Sequence, residues 1–248
     1  MTTKTEKLLL QRRSIRAFKP VTLTPEQCQR LMEVARQAAT STFLQQCSVI
    51  HVTDEALRAT IREVCRQKYV GSNGDLFIFV VDLYRNYRLR QQQQVGVGQL
   101  HTTDVFIQGV EDTMLAVQSV ATAAESMDLG CVFLGSIQND IRPIIKALHL
   151  PQLTFPLIGL QVGIPDQQPQ LKPRLPLALR TFDNHYQDVF DLNNFQDYDQ
   201  VVHTYYDLRD ANRRVDTFTN QIKKKLTTSQ AQRNEILPVL HEQGLCWK

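Results

Sequence analysis

The chain has 248 residues, 42% hydrophobic and 21% charged, which places it in the ordinary globular range with room for one large domain or two small ones. A formal net charge of +3 can steer an anionic ligand to a local site but is too weak for a nucleic-acid-binding face. The five cysteines are odd in number and hold no CxxC pair, which excludes a dense disulfide framework and reads as thiols in a reducing compartment. Ahead of Arg12 the only apolar core is Leu8-Leu9-Leu10, too short for a signal peptide, and no stretch approaches the roughly 18 apolar residues of a spanning helix. A cytoplasmic protein is the expectation.

Residues 4–12 fit a short amphipathic helix. Thr24-Pro25-Glu26-Gln27 is a strong helix start: Thr24 caps, Pro25 fills the first helical position, and Gln27 closes a capping box for a helix to about Ala39. Ser48–Thr53 reads as a strand, and Asp54 caps a helix to about Arg66. The continuous apolar run Leu76–Val81 predicts a central strand buried on both faces. The longest helix spans about Asp104 to Leu129, with Ile107, Val110, Met114, Val117, Ala121 and Ala124 at helical spacing and Gly130 as its left-handed stop. That much apolar surface predicts a core spine or a subunit interface.

Cys131–Leu134 reads as a short strand, Asn139 or Asp140 caps a helix to about Leu148, and Phe155–Val162 is a further buried strand. Four prolines from Pro165 to Pro176 then force extended or turning backbone, and two or three C-terminal helices follow. Helices and strands alternate without a clean βαβ repeat, and no GxGxxG or GxxxxGK[ST] occurs. The expectation is one α+β domain with a C-terminal helical extension over about 185–248.

Three groups of residues carry chemistry. Arg12, Arg13, Ser14 and Arg16 gather guanidinium forks and a hydroxyl, the groups that grip phosphate oxygens, although alone they read as readily as a solvated basic turn. Lys172-Pro173-Arg174 presents two cations on a segment stiffened by proline. Thr40, Ser41 and Thr42 offer hydroxyls for a polar heterocycle or a ribityl chain, and equally a helix-terminating turn. None of the six histidines shows metal-binding spacing, so no metal is expected, and His51 and Cys131 read as packed residues.

In order, RRSIRAF, AATSTFLQQCSVIHVTD, GCVFLGSIQND and FPLIGLQVGIPDQQPQLKPRLP resemble the nitroreductase family, and more narrowly its NADPH-dependent branch of oxygen-insensitive nitroreductases and flavin reductases, over about Leu8 to Gly244. The resemblance implies a nitroreductase-like fold with a mixed central sheet flanked by helices, a domain-intertwined homodimer, and FMN at the subunit interface. It implies that Arg12, Ser14, Lys172 and Arg174 hold the FMN phosphate with support from Arg13, and that Arg16 lies near the pyrimidine edge of the ring and tunes its potential. Thr40, Ser41 and Thr42 would contact the flavin of the partner subunit. Gln67 and Lys68 would reach its polar edge, and Leu134, Gly135 and Ser136 would pass beside the ring. Arg209, Arg213 and Arg214 would bind the NADPH phosphate. The chain departs from the family where Arg12 replaces a frequent His, where threonines replace serines at 40 and 42, and where Ser136 replaces the second glycine of a pair.

The implied activity is hydride transfer from NADPH to FMN, then to a nitroaromatic, quinone or similar acceptor by a ping-pong scheme. No side chain need act as a catalytic acid or nucleophile, because the cofactor carries the chemistry. The alternatives are a flavin reductase that supplies reduced FMN, and an FMN-binding redox sensor without turnover.

Overall fold

The fold is described from a computed structural model, over residues 2–209, 216–227 and 231–248. Its centre is the predicted apolar run: the strand β2 (Asp75–Asp82) is buried along all but its last residue. It pairs on one side with β1 (Cys47–Val52) and on the other with β4 (Thr154–Gly163), and β4 pairs in turn with β3 (Gly130–Leu134), giving the order β1-β2-β4-β3. Every one of these pairings is antiparallel. Among the described residues the mixed character expected of the sheet is confined to one parallel bridge, Ser14 with Cys131.

Helices cover both faces. The helix starts read from sequence hold: α1 (Lys4–Leu10) opens with a Thr3–Glu6 capping box, and α2 (Pro25–Arg36) opens with the Thr24–Gln27 box. Asp54 caps α3 (Glu55–Cys65) by accepting from the Leu57 N–H. After α4 (Tyr84–Gln92) comes the long helix α5 (Thr103–Ser126), and α6 (Ile141–Ala147) follows β3. On one face α2 and α5 pack Leu31, Val117, Val120 and Ala121 against Phe77 and Phe79; on the other α3 and α6 pack Ile61 and Ile144 against Ile78 and Leu134. The alternation of β2 side chains between the two cores is the two-residue period of a strand covered on both sides.

One helix stop differs from expectation. The left-handed residue after α5 is Asp128 (φ 59°), not Gly130. Gly130 instead opens β3, where a Cβ would lie 2.6 Å from Ile15 Cγ1, so its glycine is required by close approach of the chain around Ile15. The apolar stripe of α5 also divides. Val117, Ala121 and Ala124 are buried in the core, while Ile107, Met114 and the neighbouring Leu115 are 40–50% exposed.

Beyond β4 the chain forms α7 (Gln196–Arg209), α8 (Phe218–Thr227) and α9 (Ile236–Glu242). It packs as two compact units, one of Met1–Pro169 with Gln230–Lys248 and one of Gln170–Ser229. The second unit is built on aromatic contacts, Phe195 stacking on Phe218 and Tyr198 meeting Phe218 edge-on. The last segment belongs to the first unit: Val239, Leu240 and Leu245 join the core around Phe155, and Gln243 bonds the backbone of Pro151, Leu153 and Thr154. Among the described residues no helix is long and apolar enough to cross a membrane.

Candidate active site

The arginine run is held by backbone. The Ile15 N–H donates to Cys131 O at 3.0 Å, and Phe18 bridges Pro165, so residues 14–18 lie along the β3–β4 edge. Its three cations then diverge. Arg12 turns inward: its Nε is 3.2 Å from Glu125 Oε1, its Nη2 is 3.6 Å from Cys131 Sγ, and its guanidinium lies 4.9 Å from the Phe133 ring centre. Arg13 donates through Nη1 to Gln11 O and keeps a buried Nε with no partner among the described residues. Arg16 is exposed; its backbone N–H donates to Gln167 Oε1 at 3.3 Å, and its guanidinium has no partner among the described residues. Of the residues expected at the phosphate, Arg13 therefore keeps an unspent donor while Arg12 is engaged within the protein, and Arg16, expected at the ring, keeps its guanidinium without a partner among the described residues.

Glu125 and Cys131 explain that engagement. Burial pushes the Glu125 carboxyl up, and Arg12 partly offsets this. Burial, then the Glu125 charge, push the Cys131 thiol up to about 12, which makes it an inert packed thiol.

The hydroxyl segment forms an unusual loop. Thr42 (φ 47°), Phe43 (φ 63°) and Gln45 (φ 53°) all occupy the left-handed region, which costs free energy for residues other than glycine. What holds it there is Asp112, a carboxylate 1% exposed on α5 that accepts the Ser41 N–H at 2.6 Å and the Gln46 N–H at 2.8 Å. From the other side Arg85 donates to Gln45 O and Cys47 O, and Asn86 donates to Leu44 O. The loop borders a cavity of about 340 Å³ lined by Thr40, Gln45, Arg85 and Asp112 with the apolar Met32 and Ala116. Sequence reading missed Asp112 and Arg85. The available signal was an aspartate within the apolar half of a long helix, a position that buries a charge unless it has partners.

The third group is a small polar network. Gln67 Oε1 accepts from Ser136 Oγ at 3.1 Å and from Tyr69 OH at 2.8 Å. The preceding Arg66 is left-handed (φ 53°), which ends α3 and turns the chain into this position. Lys68 is exposed beside it. Leu134 is buried at the end of β3, and Gly135 begins a single-turn helix with open space where a Cβ would stand. Arg233 donates to Gly135 O at 3.0 Å from the last segment of the chain. Ser136, the departure from the family pattern, thus spends its hydroxyl on Gln67.

Lys172 and Arg174 belong to the second unit, where both are exposed and Arg174 Nη1 folds back on Lys172 O at 2.9 Å. Of the arginines assigned to the nicotinamide phosphate, Arg213 and Arg214 lie outside the described residues; Arg209 closes α7, and its side chain lies outside them too.

The family model described as "Nitroreductase family" matches residues 9–164, and "Nitroreductase family, C-terminal domain" matches 172–248. The chain belongs to the nitroreductase family. It is therefore an oxidoreductase with the nitroreductase fold, as the four ordered motifs implied. This nitroreductase is 36% identical over 243 residues, 96% of each chain, to an NADPH-dependent oxidoreductase of Staphylococcus aureus (strain MRSA252). Its fold matches the NfrA1 nitroreductase from B. subtilis with a TM-score of 0.93 at 31% identity, over 99% of this chain and 100% of that one. It matches the NADPH:FMN oxidoreductase from Vibrio harveyi, solved with NAD+, with a TM-score of 0.89 at 32% identity, over 99% of this chain and 100% of that one.

Proposed function

We propose that the chain is an NADPH-dependent FMN oxidoreductase that reduces nitroaromatics, quinones or similar acceptors by a ping-pong mechanism. The observation that carries this reading is the Gln67–Ser136–Tyr69 network beside Gly135, a polar edge fixed next to an open surface that a Cβ would narrow. FMN, when bound, supplies the redox chemistry, accepting a hydride from NADPH and passing electrons to the second substrate.

The protein's part is to bind and orient. Gln67, positioned by the Ser136 hydroxyl that bonds its Oε1, would offer its side-chain amide to the ring's polar edge, and Lys68 would add a cation there. Leu134 and Gly135 would lie against the ring's face. Arg13 and Arg16 fit an anionic group because each keeps guanidinium donors without partners among the described residues. Ser14 would add a hydroxyl to the phosphate, and Arg16 would stabilise negative charge on the ring. Arg12 acts indirectly, bracing the Cys131 strand end through Glu125. The assignments of Lys172 and Arg174 to the FMN phosphate, and of Arg209, Arg213 and Arg214 to the NADPH phosphate, rest on the resemblance.

The reading includes a homodimer, supported by the exposed Ile107, Met114 and Leu115 on α5, with Thr40, Ser41 and Thr42 serving the partner's flavin. It also includes a cytoplasmic location, supported by the thiols. The test is anaerobic: reduce the purified yellow protein with NADPH, then add nitrofurazone or free FMN. Rapid reoxidation by nitrofurazone is expected. If free FMN alone reoxidises it, the protein is a flavin reductase; if NADPH does not bleach it, the redox-sensor reading wins.

A further inference from the structure

The end of the β1–β2 ladder opposite the pinned loop gathers three groups that the activity above does not use. Cys28 comes from the first turns of α2, His51 from β1 and Asp75 from the start of β2. A sulfur, a ring nitrogen and a carboxylate oxygen of these residues all lie within 4.8 Å of one another. Each donor sits on a regular element, so the cluster is positioned by the scaffold and not by a loose loop. Its members are scattered in sequence, with Asp75 24 residues beyond His51, which is why no spacing motif reveals them.

We propose that Cys28, His51 and Asp75 form a binding site for a divalent zinc-like cation, with water as the fourth ligand. The donor set is the reason for the choice of metal. A thiolate, an imidazole and a carboxylate match the borderline character of zinc, whereas calcium and magnesium take oxygen alone. Zinc–ligand bonds of about 2.0–2.3 Å place tetrahedral donors about 3.4–3.6 Å apart. His51 Nε2 and Asp75 Oδ1 stand at 2.8 Å and must open, while the remaining pairs already lie within 4.8 Å.

Three further observations support it. Asp75 is 3% exposed, and its other oxygen accepts the Leu23 N–H at 2.6 Å, so a backbone donor already orients the carboxylate. His51 stacks on Phe77, with ring centres 4.5 Å apart and planes 23° from parallel, which fixes the imidazole plane. Its side chain is 31% exposed, and that leaves a route from solvent for the ion and the fourth ligand. Cys28 would bind as thiolate, its proton leaving to solvent as the ion enters. The ion would staple the start of α2 to the sheet, and the strained residues 42–45 follow α2 after a short connection.

The test uses the full-length, FMN-loaded protein stripped with a chelator and dialysed against micromolar zinc chloride. Metal is measured by atomic emission, and its ligands by zinc-edge X-ray absorption. One zinc per chain with a single sulfur neighbour is expected, and the zinc should raise the melting temperature. The Cys28→Ser and His51→Gln variants should lose both the bound zinc and the thermal shift. Their FMN content and circular dichroism establish that they have folded; if either does not fold, the wild-type sulfur-neighbour signal and its loss on chelation decide. No retained zinc in the wild type, zinc without a sulfur neighbour, or equal retention by folded variants overturns the site.

Discussion

The arginine run and the hydroxyl loop, each read from a handful of residues, are held in place by opposite means. Residues 14–18 lie against β3 and β4 through backbone bonds and bridges, which any side chain can make. Residues 41–46 depart from the favoured backbone regions and depend on one carboxylate, Asp112, to stay there. A segment secured by backbone pairing tolerates side-chain change, whereas one secured by a single buried charge does not. The difference separates binding groups, which can be altered without unfolding the site, from the support beneath them.

The sharpest way to break this comparison is Asp112→Ala. It leaves the buried Gln46 N–H and the part-buried Ser41 N–H without acceptors and should cost about 3–6 kcal/mol, at about 1.5–3 kcal/mol per hydrogen bond to a charged group. Urea denaturation measures the loss, and hydrogen exchange should show it concentrated at residues 41–46; a uniform, sub-kilocalorie change would put the support elsewhere.

Next is Arg12→Met, which strands the Glu125 carboxylate, 10% exposed at its side chain, without its cation. A cost of about 3 kcal/mol is expected, since removing one partner of a buried pair leaves an uncompensated charge. Adding Glu125→Gln should recover most of it. The Glu125 carboxyl is raised in the fold, so in the Arg12→Met protein stability should fall as pH rises through the carboxylate range, where the unfolded chain ionises first. A double variant no more stable than the single one refutes the coupling.

The smallest effect tests the backbone-held segment. Gly130→Ala places a methyl 2.6 Å from Ile15 Cγ1, and overpacking of this kind costs about 1–3 kcal/mol. Pairing it with Ile15→Val should relieve part of that cost. An unchanged melting temperature in Gly130→Ala would mean that the chain around Ile15 is not held against β3.

How much was legible beforehand follows the same division. The caps at Thr24 and Asp54, the buried run of β2 and the extent of α5 were readable because each is fixed by residues within one or two turns. Gly130 was misread as a helix stop because a glycine after a helix is usually a C-cap, and nothing local shows that Ile15 approaches it. Ser136 was recognised as a departure from the family pattern, but not that its hydroxyl would bond Gln67 from 69 residues away.

The sequence by itself determined the secondary structure, the family and the segments that carry polar and cationic groups, because periodicity, capping and ordered motifs are properties of neighbouring residues. Only the tertiary structure decided which way each side chain faces. It turned Arg12 inward to Glu125 while leaving Arg16 outward, set Asp112 beneath the loop 71 residues before it, and drew Cys28, His51 and Asp75 together. Those choices depend on which elements pack against one another, and the free energy that selects the packing comes from burying the β2 cores, not from the polar groups that the packing brings into contact.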